Sequence, residues 1–168
     1  MITREYVQTM ARYNAWQNTE MLAAAEAVGD AARQMDRGAF FGSIMRTMSH
    51  LLWGDQAWMS RFDNAVTPPE APFSDSAVAF TDWATYRSQR VATDAAIAAW
   101  AGDVTQETLD GDLTWFSGMT GSDMSRQMAV CVAHLFNHQT HHRGQINAML
   151  TAAGAKAWST DLPFMPDA

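Results

Sequence analysis

The segment from Ser125 to Ala153 constrains this chain more than any other. Met124, Met128, Cys131 and Leu135 step by four, three and four residues, the spacing of a core-facing helical seam. Continuing that rhythm brings up His138, His142, Gln145 and Met149. The seam turns from apolar to imidazole and back within one helix. Imidazoles in an apolar seam are costly unless they find partners, so whatever packs against this helix must answer them. At about 100° per residue, His142 falls well inside the apolar sector and His138 at its edge. His134 and His141 fall further round, toward Asn137 and Arg126. A lone helical histidine is ordinarily a surface or hydrogen-bonded residue. Two at i and i+4 share a face and can grip one metal ion, although chance also produces such pairs.

Three more helices are predicted. The first runs from Thr3, its cap, to Val28 and stops at Gly29-Asp30, with Tyr6, Met10, Tyr13, Leu22 and Ala25 at helical spacing; Asp30 to Asp36 adds a short turn. Ser43 caps a second helix reaching Phe62, with Ile44, Met48, Leu51, Trp58 and Phe62 on one face. Pro68, Pro69 and Pro72 mark residues 63–79 as a surface loop. The third helix spans Phe80 to Ala101. Residues 104–123, with Leu109, Leu113, Trp115 and Phe116 punctuated by Gly118 and Gly121, read as a short irregular hairpin. The fourth helix, Ser125 to Ala153, ends at Gly154. The tail orders only where Trp158, Leu162 and Phe164 can pack. The expected fold is all-α: one domain over residues 1–168, a four-helix bundle with antiparallel neighbours, one long crossover and a short hairpin before the last helix.

His50 lies beside the apolar face of the second helix, on a stripe of Ser43, Thr47, Gly54 and Ala57. Those small side chains serve either close helix packing or a pocket with a histidine in its wall, and the stripe alone does not choose. Asp55 is available as a partner for a ligand histidine or as a helix-to-helix acceptor. Arg143 projects about 100° from His142, toward a substrate carboxylate or a structural ion pair. Gln145, on the histidine side, is a candidate for holding a ligand ring or touching substrate. Asn14 and Asn18, one turn apart, either close a cavity or bond between helices. Trp16, Trp53 and Trp115 are candidate pocket walls. Position 139 is Gln, not the water-activating Glu of a zinc-peptidase helix, which argues against peptidase chemistry. Cys131 lies two turns, on the order of 10 Å, from His138 and reads as a small buried hydrophobe.

Eleven basic residues against 18 acidic give a net charge of -7, and Lys156 is the single lysine. That balance argues against nucleic acid and against anionic membranes. One cysteine cannot form an internal disulfide, the first residues lack a signal-peptide core, and no run of about 18 apolar residues occurs. A cytoplasmic protein is the expectation.

The block HLFNHQTHHRGQINAML, from His134 to Leu150, resembles the last bundle helix of the DinB/YfiT-like family. YNAWQNTEML near the start, HLLWGDQAWMSRF at His50 and the ending TDLPFM are similar to family patterns, so the resemblance spans nearly the whole chain. It implies a bundle that binds a divalent ion through one histidine of the second helix and two of the last. Residue by residue, those are His50, His138 and His142. It further implies a homodimer, and a relationship to bacillithiol S-transferases and, more distantly, to mycothiol-dependent maleylpyruvate isomerase. The DNA-damage name describes induction, a stress response, and not DNA binding. Zinc or nickel is the first expectation for the metal, with iron, manganese or copper next, because imidazole ligation suits several of them. A low-molecular-weight thiol is the expected cosubstrate, and a thiol or electrophile the expected partner. Three imidazoles leave a coordination position open, as catalytic sites do. Arg143 and Gln145 are the catalytic candidates. A non-catalytic small-ligand binder is the alternative.

Overall fold

Local signals in the sequence account for most helix boundaries in the computed structural model, which describes residues 1–167. Helix α1, Arg4–Gln34, starts where the Thr3 hydroxyl accepts from the Tyr6 amide at 3.3 Å. As expected, its regular helical backbone breaks at Gly29. That residue takes φ 80°, a left-handed conformation open to glycine, and the helix kinks there and resumes to Gln34. Helix α2, Ile44–Phe62, begins at the expected Ser43 cap, whose hydroxyl accepts from Arg46 at 3.2 Å. Inside the expected loop, Phe73–Val78 forms a 3-10 turn. Helix α3, Trp83–Asp103, starts later than expected because Asp82, not Phe80, supplies the cap, accepting from Thr85 at 2.8 Å.

A short helix α4, Gln106–Asp110, precedes the hairpin of strands β1, Asp112–Ser117, and β2, Ser122–Gln127. The strands pair antiparallel, with Trp115 opposite Met124. The expected start of the last helix at Ser125 is therefore corrected. Ser125 and Met124 belong to β2, whose ladder satisfies their backbone. Helix α5, Met128–Ala152, begins where Met128 donates to the Gly111 carbonyl at 2.9 Å. The core-facing seam thus begins at Met128. In the tail, Trp158 packs and donates to Gln17 Oε1 at 3.0 Å, whereas Leu162 and Phe164 stay exposed. Among the described residues, no helix is long and apolar enough to cross a membrane.

The chain is mostly helical, with α1 packed on α2, α3 and α5, and α2 packed on α3 and α5. Two apolar clusters fill the interior. One holds Val7, Ala11, Met59, Ile97, Val132 and Leu135; the other Met21, Ala25, Met48, Leu51, Tyr86, Ile146 and Leu150. They occur in one order along α1 and α5 and in the reverse order along α2 and α3. Helices α1 and α5 therefore run one way and α2 and α3 the other, and residues 63–82 carry the chain back between the latter two.

Between the clusters lies a buried polar layer to which all four long helices contribute. Arg90, fully buried, donates to Asp55 at 2.6 Å and to Asp94 at 2.8 Å. Asn14 and Asn18 donate to Asp94 at 3.1 and 2.8 Å, and Arg143 donates to Asn14 Oδ1. Burial pushes the Asp55 carboxyl up to about 6, with the Arg90 guanidinium opposing. Burial alone would lower Arg90, but the Asp94 and Asp55 carboxylates outweigh it and hold the guanidinium above its ordinary range.

Replacing Asp55 by Ala leaves a buried guanidinium without one of its two carboxylates. Urea unfolding is expected to show a loss of about 3–5 kcal/mol, and a loss below 1 kcal/mol would contradict this role for the layer. The pH dependence has a definite sign. The folded carboxyl, near 6, lies above its ordinary 3.8, so the native state holds this proton more tightly than the unfolded chain does. Its contribution to stability is full below the lower value and is lost as pH rises through that window. The unfolding free energy of wild type minus that of Asp55→Asn should fall across it.

Candidate metal centre

At the level of the polar layer, α2 presents His50 and α5 presents His138 and His142, and the three donor nitrogens lie within 4.8 Å of one another. The closest pair, His138 Nε2 and His50 Nε2, is 3.3 Å apart. His50 and His142 are buried and His138 is half-buried.

Close approach of the two helices makes this possible. A Cβ built on Gly54 would stand 2.7 Å from His138 Cε1, so glycine is the residue that lets the ring lie against α2. The small-residue stripe thereby serves packing and pocket together.

The rings are held from outside the trio. Ser49 Oγ donates to the Ser76 carbonyl at 2.8 Å and accepts from the Phe80 amide at 3.0 Å, stapling the 3-10 turn to α2. This brings Ser76 Oγ to 2.9 Å from His50 Nδ1. Gln145 Oε1 lies 2.8 Å from His142 Nδ1, and its Nε2 lies 3.2 Å from His141 Nε2. With Oε1 accepting, His142 carries its proton on Nδ1 and turns the Nε2 lone pair inward. Phe41 stacks on His50 at 4.3 Å and lies 5.8 Å from His142.

Electrostatics keep the trio neutral. Burial lowers His50 to about 4, helped by the charge of a protonated His142. Burial, then His142 and His50, lowers His138 to about 3. Burial also lowers His142, against the Gln145 hydrogen bond. Neutral imidazoles are the form that ligates metals. Two Nε2 lone pairs facing each other repel unless a proton or a cation stands between them. Their 3.3 Å separation is also close to the span of two nitrogens that lie about 2.0–2.1 Å from one tetrahedral ion. The residues present fit a divalent ion.

The other candidates resolve individually. Asp55 accepts from Arg90 and so joins α2 to α3, while Asn14 and Asn18 make interhelical bonds to Asp94. Arg143 is buried, bonded to Asn14 and 5.5 Å over the Tyr13 ring; its partner is an amide and an aromatic face, not an acid. Gln139 is fully buried beside Asp55. His134 packs edge-on to Trp58 at 5.0 Å, and His141 is exposed. The three tryptophans serve separate contacts: Trp16 on Tyr13, Trp115 on Trp58, and Trp53 on Phe73 with its Nε1 donating to the Ala71 carbonyl at 2.7 Å. Cys131 is buried in the first apolar cluster. A surface concavity of about 520 Å³ adjoins Phe41 and is lined by Gln34, Asp36, Phe40 and Arg46, without the histidines.

Ser76, Phe41 and Phe73 escaped the sequence reading. Phe41 carried one usable signal, its place in an aromatic pair bracketed by Gly38 and Gly42. Compared with known proteins, the chain matches the model of the DinB family over residues 1–168. No curated protein and no solved structure matches it.

Gly54→Ala should displace the His138 ring while leaving the polar layer intact. Zinc affinity measured by competition with a chromogenic chelator is expected to drop about 10- to 100-fold, as when groups supporting a metal ligand are lost. Unchanged affinity would show that the Gly54 contact does not position His138.

Proposed function

The chain belongs to the DinB family, and on that premise we propose that it binds a divalent metal through His50, His138 and His142 and catalyses thiol S-transfer or a thiol-dependent isomerisation. The observation that carries the reading is the convergence of three neutral imidazoles, two of them 3.3 Å apart, on one point between α2 and α5. A divalent ion held there, zinc or nickel before iron, manganese or copper, supplies Lewis acidity toward a thiol or an electrophile. The chain's own residues do the rest. Ser76 and Gln145 fix the His50 and His142 rings. Gln145, whose amide reaches the rim at exposed His141, is placed to meet substrate as well. Arg143 holds α5 to α1 in this reading and takes no part in the chemistry.

Within the same proposal, the four long helices form a single-domain DinB/YfiT-type bundle with residues 63–82 as the long crossover. The protein works in the cytoplasm as a homodimer on a small thiol and an electrophile, and not on nucleic acid or membranes. One observation favours a second reading, a metal-dependent binder of small ligands in a stress response without turnover. The acids nearest in the layer, Asp55 and Asp94, are both engaged by Arg90 and serve helix packing, not proton transfer, in that reading.

Protein purified without a histidine tag should contain about one divalent ion per chain by elemental analysis, and His142→Ala should lose it. A panel of thiols and electrophiles should give metal-dependent conjugation or isomerisation that His142→Ala lacks. Stoichiometric metal and saturable calorimetric ligand binding without product would favour the second reading. Absence of bound metal in freshly purified and in zinc-reconstituted protein would overturn both.

A further inference from the structure

Two phenylalanines near the histidines stay in water. Phe40 is 87% exposed and Phe73 is 52% exposed. Leaving such rings in water forgoes apolar burial, and exposed aromatics beside a pocket mark recognition more often than isolated ones do. Their placement is specific. Phe40 meets Phe41 edge-on at 4.8 Å, Phe41 stacks on His50 at 4.3 Å, and Phe73 approaches His50 edge-on at 6.3 Å. Phe73 leans in turn on Trp53 at 5.7 Å. The rings run in contact from solvent to a ligand histidine and out again.

Both ends are pinned by backbone. The Ala39–Gly42 turn closes with Gly42 donating to the Ala39 carbonyl and Arg37 to the Gly42 carbonyl, each at 2.8 Å. Gly42 takes φ 85°, a conformation that favours glycine. This turn carries Phe40 on its solvent side. On the far side, the Trp53 indole holds the Ala71 carbonyl two residues before Phe73. This rim sets aromatic faces and edges beside the histidine trio.

We infer that Phe40, Phe41 and Phe73 form an aromatic mouth that selects thiol or electrophile ligands with an aromatic or bulky apolar body, the reacting head passing inward to the histidines. This specificity rests on the metal-site reading above. Among ligands that share one reacting head, the body decides which bind.

The test uses the full chain loaded with cobalt(II), whose visible spectrum reports thiolate ligation without turnover. Benzyl mercaptan and 2-mercaptoethanol are titrated in parallel. Benzyl mercaptan is expected to bind at least about 10-fold more tightly, a difference of about 1.4 kcal/mol. In the double variant Phe40→Ser/Phe73→Ser, the ratio should collapse to about twofold through loss of benzyl mercaptan affinity. Both rings are exposed, so folding tolerates the change, and the cobalt spectrum verifies metal uptake in each sample. Equal affinities in wild type, or a ratio unmoved in the variant, would overturn the inference while leaving the metal site standing. A chain that takes up no cobalt would overturn the metal reading and this specificity with it.

Discussion

Arg90 sets the terms for the rest of this structure. A fully buried guanidinium is tolerable only where carboxylates reach it, and here they come from α2 through Asp55 and from its own helix through Asp94. Asp94 also collects the amides of Asn14 and Asn18 from α1, and Asn14 receives Arg143 from α5. Apolar clusters above and below would allow helices to slide, since leucine and methionine faces are forgiving. The polar layer is not forgiving: a shift of one helical turn, about 5.4 Å, would strand Arg90 among hydrocarbon. Register among the four long helices is therefore decided by charge and hydrogen bonding, while most of the burial energy comes from elsewhere.

That register is what builds the histidine site. Asp55 follows Gly54 in α2, and Gln139 follows His138 in α5. Locking the layer sets Gly54 against the His138 ring and sets His50, about one turn earlier, opposite His138 and His142. The nitrogens of the proposed metal site are thus positioned by a network that touches none of them directly. Arg143, so near the trio, is bonded into the same layer through Asn14.

Much of this was legible in the residues, and the failures have physical causes. The α5 seam identified His138 and His142 because period and burial coincide along one helix. His50 came only with the family resemblance, since a small-residue stripe fits close packing and a pocket equally; the structure makes it both. Asp55 could be read as a helix-to-helix acceptor, but its donor could not, because Arg90 sits in an Ala-rich helix whose pattern does not reveal which face is buried. Met124 matched the helical rhythm but pairs with Trp115 in a hairpin, since a strand ladder satisfies the same backbone groups that a helix would. Ser76 and Phe41 lie outside the long helices, where side-chain direction follows from turn geometry and carries no periodic trace.

If the trio holds the divalent ion proposed above, its charge balance bears on what a fourth ligand would be. Three neutral imidazoles bring no negative charge, and the carboxylates in the layer beside them are already shared with Arg90. A divalent charge at the trio would face only ring dipoles and the hydroxyl and amide that hold them. Such a site gains most from an anionic fourth ligand, and in a half-buried setting that gain exceeds its value in water. A thiolate meets that need, is generated more readily beside a cation, and tolerates the apolar walls of Phe41 and Phe73 better than a hydrated carboxylate would.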